Sequence, residues 1–349
     1  MRTISIFMLI IVAMVAIVSC CGGAKKNAEA QCDGKKYCLP VALQLYSVRD
    51  AMANDFKGTL QKVKEMGYDG VEFAGLFGNT PEQVKAMCAE IGLTPISAHV
   101  PLADMLADVD KVIADYKALG CKYIVVPYVT EERRPGGELF MQMVEEIRSI
   151  GQKAKDAGLL LLYHNHDFEF KKVENGEFGL DYLYSSIPAD LLQTELDECW
   201  VKYAGQDPVA YLQKYAGRAP VVHLKDYYVE GEQVGDPYAL IGLNEDEKKS
   251  NSAFEFRPLG YGVQDVAALV KAAGDAGCGW LIVEQDQPSM GKTPMECVAL
   301  GMEYLAKVKA QVCQEACTMK DACKDKKECC PKKASCEGNK ECKKECDKK

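Results

Sequence analysis

Histidine is scarce: the chain of 349 residues has four, His99, His164, His166 and His223, and only two tryptophans. That confines imidazole chemistry to four positions and excludes a histidine-rich metal-binding tract. Clustered positive charge is missing too. Lys and Arg number 42 against 51 Asp and Glu, for a formal net charge of −9. The signs are mixed along most of the chain, so no basic face is offered to a nucleic-acid backbone. No Gly-x-Gly-x-x-Gly follows a first strand, which speaks against a dinucleotide-binding sheet. No apolar run reaches the roughly twenty residues of a membrane span; the longest, Ile4–Val18, has 15.

That short run follows Met1-Arg2-Thr3 and leads to Ser19-Cys20-Cys21. A charged start and a short apolar stretch fit a signal peptide. Ile17-Val18-Ser19-Cys20 resembles a bacterial lipoprotein signal, in which the cysteine becomes the lipidated N-terminus. The expectation is residues 1–19 as signal and 20–39 as flexible spacer, with Cys20 lipidated. The body would then be exported and lipid-anchored to a bacterial membrane, in the periplasm or at the cell surface. The 17 cysteines fall into groups. Cys88, Cys121, Cys199, Cys278 and Cys297 are scattered through the centre and read as small buried hydrophobes. The stretch 313–349 alternates Cys with Lys, Glu and Asp, has almost no aliphatic residue and cannot build a core, so a disordered tail is expected. It lacks histidine and regular spacing, which favours disulfides or labile thiols over a zinc module.

Between 40 and 312 a pattern repeats. A helical segment ends at a glycine (Gly67, Gly92, Gly120, Gly158, Gly217, Gly277) and a short apolar run follows within a few residues. A glycine just past a helix supplies the left-handed residue that terminates it. With Val41–Tyr46 and Leu191–Asp197, which lack that glycine, eight strands are expected, alternating with helices such as Pro81–Ile91 behind an N-capping Thr80. Eight such units have the size of a closed (β/α)8 TIM barrel. The fold class expected is α/β, one barrel of residues 40–312. The stretch Tyr227–Gly262 is long for a strand-to-helix loop and reads as a lid or rim.

In such a barrel the C-terminal strand ends form the active face, and the polar residues fall there. Strand two offers Glu72, strand three His99, strand five His164, His166 and Glu169. Strand six ends Glu195-Leu-Asp197, strand seven His223-Leu-Lys225-Asp226, strand eight Glu284-Gln-Asp286. Carboxylates converging on one mouth repel one another unless a cation joins them. Oxygen ligands with one or two imidazoles suit a divalent ion in an open site.

The segments Tyr163-His-Asn-His-Asp-Phe-Glu-Phe170, Glu195-Leu-Asp-Glu-Cys-Trp-Val201, His223-Leu-Lys-Asp226 and Leu281-Ile-Val-Glu-Gln-Asp286 resemble the xylose-isomerase-like barrel family. Its members include sugar (phosphate) isomerases and epimerases and inosose dehydratases. The resemblance implies one divalent metal, Mn²⁺ first and Mg²⁺, Zn²⁺ or Co²⁺ as alternatives, held by Glu169, Asp197, His223 and Glu284. Epimerases place a carboxylate at the end of strand five, where this chain has His164-Asn165-His166; the inosose dehydratase branch is closer. The implied activity is a keto-sugar or keto-cyclitol lyase or dehydratase, or an isomerase or epimerase, acting by proton abstraction beside a carbonyl. His166, Lys225 and Glu284 are the expected catalytic residues, His166 as acid/base and Lys225 facing oxyanion charge. Tyr46, Glu72, His99, His164 and Trp200 are the expected substrate contacts. A metal-dependent endonuclease on the same fold conflicts with the four histidines, the net charge and export. A sugar-binding surface lipoprotein without catalysis is the non-enzymatic alternative. The expected partner is a small carbohydrate and the membrane through its anchor, not a nucleic acid; a homo-oligomer is compatible with the sequence.

Overall fold

The computed structural model describes residues 33–231, Tyr238 and residues 254–325. The apolar run before residue 33, Cys20 and the tail beyond 325 lie outside the described residues. No helix among the described residues is long and apolar enough to cross a membrane.

All eight expected strands form, within a residue or two of the expected ends: β1 (Val41–Gln44), β2 (Gly70–Phe73), β3 (Thr94–His99), β4 (Tyr123–Val126), β5 (Leu160–His164), β6 (Leu192–Asp197), β7 (Val221–Leu224) and, eighth in the barrel, β10 (Trp280–Val283). Every pair is parallel, and β10 closes on β1 with Leu43 opposite Val283. Apolar runs of four to six residues suit strands buried on both faces. Inside the barrel Ala42, Ile96, Val125, Leu162, Val221 and Ile282 form one packed layer, so the interior is filled rather than a pore. Side chains alternate along a strand. The next inward positions above that layer are therefore Gln44, Glu72, His164, Glu195, His223 and Glu284, and the mouth begins there.

The helix Pro81–Ile91 shows how local chemistry sets an element. Thr80 and Gln83 form a reciprocal capping box, and Gly92 ends the helix at φ 81°.

Three features depart from the expected boundaries. Residues Asp33–Tyr37 form a 3-10 turn, and Tyr37, only 6% exposed, packs into the core; residues 33–39, expected as spacer, therefore go with the barrel. The last helix runs Pro294–Asp325, across the boundary expected at 312. Cys38 is disulfide-bonded to Cys313 in that helix. The segment after β7 also contains a hairpin, β8 (Asp226–Val229) with β9 (Phe254–Arg257). One residue anchors it: the Asp226 carboxylate accepts from the backbone N–H groups of Tyr227, Gly260, Gly262, Val263 and Gln264 at 2.9–3.1 Å. The five central cysteines are free and buried, as small hydrophobes.

Candidate active site

The strand ends surround a cavity of about 410 Å³ lined at its polar end by His99, His164, His166, Lys225, Glu284 and Asp286, with Tyr46 and Tyr128 beside them. His99 and His164 end their strands, and His166, Lys225, Glu284 and Asp286 follow within three residues of a strand end, which gathers them at one rim.

Lys225 Nζ is the centre of charge. It lies 2.8 Å from Glu284 Oε2, 3.0 Å from Asp286 Oδ2 and 3.2 Å from Asp197 Oδ2, with all four residues buried. Burial alone would lower the ammonium, but Asp197, Asp286 and Glu284 hold its pKa well above the usual lysine value. Burial likewise lifts Asp286 to about 7, against the pull of Lys225. At Glu284 the burial penalty is outweighed by Lys225 and His223, so the carboxyl stays far below the ordinary range. Asp197 does two jobs. Oδ1 caps the helix Glu198–Tyr203 by accepting from Cys199 N at 2.8 Å and Trp200 N at 3.3 Å. Oδ2 is ion-paired with Lys225 Nζ at 3.2 Å and faces His164 Nε2 at 3.5 Å.

His164 Nε2, Asp197, His223 and Glu284 offer ligand atoms that all lie within 4.8 Å of one another. They come from β5, β6, β7 and the end of β10. Two carboxylates and two imidazoles converging on one point fit a divalent ion. Glu169 is not among them. Its 3-10 turn, Phe168–Phe170, carries the carboxyl back under the strand, where it accepts from Tyr163 Oη at 2.7 Å and His166 N at 2.8 Å. Burial raises its pKa to about 8. The fourth member of this group is His164, where Glu169 was expected.

His166 lines the cavity between aromatic neighbours, stacked on Phe168 at 5.3 Å and tilted against Trp200 at 5.2 Å. Burial and the Lys225 charge hold its imidazole well below the usual value, and Nδ1 has no hydrogen-bond partner. Arg134 lies 4.2 Å over the Phe168 ring and bonds the Tyr128 hydroxyl.

Of the expected substrate contacts, Tyr46, His99 and His164 line the cavity. Trp200 and Glu72 do not. Trp200 is fully buried, packed with Tyr203, Phe254 and Phe256 behind His166, because the hairpin covers its outer face. Glu72 lies in the layer beneath the mouth, bonded to Gln44 at 2.9 Å, Ser97 at 2.5 Å and His223 at 2.8 Å. Sequence reasoning passed over Gln44 and Ser97, and named Glu195 at its strand end without giving it a role. The last had a signal: it stands two residues before Asp197 on one strand, and so faces the same way.

The sequence matches the family described as xylose isomerase-like TIM barrel over residues 60–308. The chain belongs to the xylose isomerase-like TIM barrel family. Solved structures agree on the fold. A sugar phosphate isomerase/epimerase from Parabacteroides distasonis is 23% identical, with a TM-score of 0.61 over 77% of this chain and 98% of that one. The probable 3-DHS dehydratase of Bacillus anthracis is 14% identical, with a TM-score of 0.61 over 77% and 99%. A xylose isomerase-like TIM barrel protein from Mycobacterium smegmatis, solved in complex with magnesium, is 16% identical, with a TM-score of 0.56 over 80% and 99%. No curated protein matches the sequence.

Proposed function

We propose that this family member is a metal-dependent enzyme that removes the proton beside the ketone of a keto-sugar or keto-cyclitol, as a lyase or dehydratase ahead of an isomerase or epimerase. The observation that carries the reading is a group of His164, Asp197, His223 and Glu284 that can hold an ion, two of whose members, His164 and Glu284, line one cavity with His166 and Lys225. The magnesium-bound relative and the dehydratase relative support it. Mn²⁺ is the ion we expect, with Mg²⁺, Zn²⁺ and Co²⁺ as alternatives. Held there, a divalent ion would supply the Lewis acidity that polarises a ketone.

The protein's own groups divide the remaining work. His166, which lines the cavity and whose Nδ1 has no hydrogen-bond partner, would take the carbon-bound proton. Lys225 would carry the negative charge growing on the carbonyl oxygen, and Glu284 would orient Lys225. Tyr46 and His99 would contact the sugar. A lyase is favoured because strand five ends in His164 and not in a carboxylate, so the two facing carboxylates that exchange a proton across one carbon in an epimerase are missing.

The test is wash-in of solvent deuterium at the carbon beside the ketone of a 3-keto-sugar, followed by NMR on Mn²⁺-loaded protein. His166→Ala is expected to keep the metal and lose on the order of 10²–10⁴-fold in rate. Sugar binding without exchange in the wild type would overturn catalysis and return the non-catalytic sugar-binding reading. We also propose export and a lipid anchor on Cys20, supported by the apolar run and Ile17-Val18-Ser19-Cys20. Cys20→Ser should leave an uncleaved precursor on membrane fractionation while Cys21→Ser should not; equal behaviour would refute it.

A further inference from the structure

Three of the four histidines, two of them shared with the mouth set, converge on one carboxylate oxygen. Glu195 Oε1 lies 2.6 Å from His99 Nε2, 3.0 Å from His223 Nε2 and 3.2 Å from His164 Nδ1. Glu72 Oε1 adds contacts of 3.0 Å to the same His99 nitrogen and 2.8 Å to the same His223 nitrogen. The His99 and His223 rings lie nearly parallel, 5.4 Å apart. Glu195 and His223 are fully buried, and Glu195 Oε2 has no hydrogen-bond partner.

Hydrogen bonding alone accounts poorly for this arrangement. A carboxylate has about four lone-pair positions over its two oxygens. Here three imidazole nitrogens crowd one oxygen while the other has none. A cation among the nitrogens resolves the imbalance, because each nitrogen then points a lone pair inward. We infer that His99, His164, His223 and Glu195 form a second metal position, distinct from the mouth set, for a borderline divalent ion such as Zn²⁺ or Co²⁺.

The donor chemistry supports that choice of ion. Three imidazoles and one carboxylate suit Zn²⁺ or Co²⁺, whereas the oxygen-richer mouth set suits Mn²⁺ or Mg²⁺. The four ligand atoms already lie within 4.8 Å of one another. Tetrahedral ligands at about 2.0–2.1 Å from zinc stand roughly 3.3 Å apart, and the Glu195 oxygen stands 2.6–3.2 Å from the three nitrogens, so it need withdraw from them by less than about 1 Å. His99 and His164 both line the cavity, which gives the ion an entry path.

The two positions share rings through opposite nitrogens. His164 faces Glu195 through Nδ1 and Asp197 through Nε2; His223 faces Glu195 through Nε2 and Glu284 through Nδ1. A neutral imidazole has one lone pair and one N–H. An ion in the lower position therefore takes both lone pairs away from the mouth, and a single chain holds one ion or the other.

Co²⁺ titration into full-length protein tests this, because four-coordinate cobalt absorbs far more strongly in the visible than six-coordinate cobalt. His99 and Glu195 belong only to the lower set, Asp197 and Glu284 only to the mouth. Wild type and Asp197→Asn are expected to develop the strong band with one equivalent of cobalt, and His99→Gln to weaken that binding at least 100-fold. His99→Cys, which keeps a ligand, should add a thiolate-to-cobalt band in the near ultraviolet. That variant decides the matter even where His99→Gln folds poorly. If Asp197→Asn loses the strong band and His99→Gln keeps it, the lower position is refuted and the mouth site stands. Cobalt bound by His99→Cys without a thiolate band also refutes it. Should no variant and no wild type bind cobalt, both metal positions fall.

Discussion

Asp197→Asn separates the fold from the site, because the two oxygens of Asp197 have different work. Oδ1 caps the helix Glu198–Tyr203, and asparagine caps about as well as aspartate. The amide costs something on the other side, where a neutral group replaces the carboxylate beside Lys225 Nζ, 3.2 Å away in a buried setting. Losing a charge-assisted partner there is worth about 1.5–3 kcal/mol, and the helix N-terminus gives up about 0.3–1 kcal/mol of favourable charge. The variant should therefore fold, with a lower melting temperature. Asp197→Ala should be worse by about 1 kcal/mol more, since it also removes the cap. Metal binding should respond more steeply. Outer-shell changes alone cost about 10–100-fold in affinity, and Asp197 is one of only two carboxylates in the mouth set. We expect Mn²⁺ affinity to fall on the order of 10²-fold or more, and deuterium exchange to vanish with it. The measurements are thermal melting, metal content after dialysis against Mn²⁺, and exchange at the keto-sugar carbon. Full metal occupancy in a folded Asp197→Asn protein would show that the mouth set is wrong.

Two further outcomes test the placements around the site and at the edge of the barrel. Glu169→Gln should leave metal content unchanged, since the glutamine oxygen can still accept from His166 N while its amide donates to Tyr163 Oη; a loss of metal would restore Glu169 as a ligand. Because burial raises the folded pKa of Glu169 to about 8, its contribution is complete below its ordinary value of 4.5 and is lost as pH rises through 8. Thermal melts across that range should decline more in the wild type than in Glu169→Gln, and equal slopes would refute the assignment. Asp275 has the opposite sign. Burial pushes it up, but hydrogen bonds from Lys271, Lys36 and Tyr37 win and hold it near 2. Its support for residues 33–37 is present above pH 3.8 and fades as pH falls toward 2. Hydrogen exchange at Tyr37 should show that acid loosening in the wild type and a loose, pH-flat segment in Asp275→Asn. Identical profiles would sink it.

The barrel was legible because helix-ending glycines and short apolar runs are local signals, and eight of them in order leave few topologies. The mouth was legible for a related reason: His-x-His, Glu-x-Asp and Glu-x-Asp pairs at strand ends put two groups on one face. What failed was what depends on a turn or on remote packing. Nothing in Asp167-Phe-Glu-Phe170 says that a 3-10 turn will carry Glu169 back beneath its own strand. Trp200 reads alike as a sugar platform or as core, until Phe254 and Phe256 arrive from about fifty residues away to cover it. The bond from Cys38 to Cys313 spans 275 residues, and no spacing rule singles out one pair among so many cysteines.

Asp226 has a consequence for how such a barrel can change. By gathering the N–H groups of Gly260, Gly262, Val263 and Gln264 next to the end of β7, one carboxylate fixes where the chain departs from the barrel and where it comes back. The stretch beyond the hairpin can then be lengthened, shortened or exchanged without moving the register of any barrel strand. The insertion hangs from a fixed socket, so its length can change while the polar strand ends of the barrel stay still.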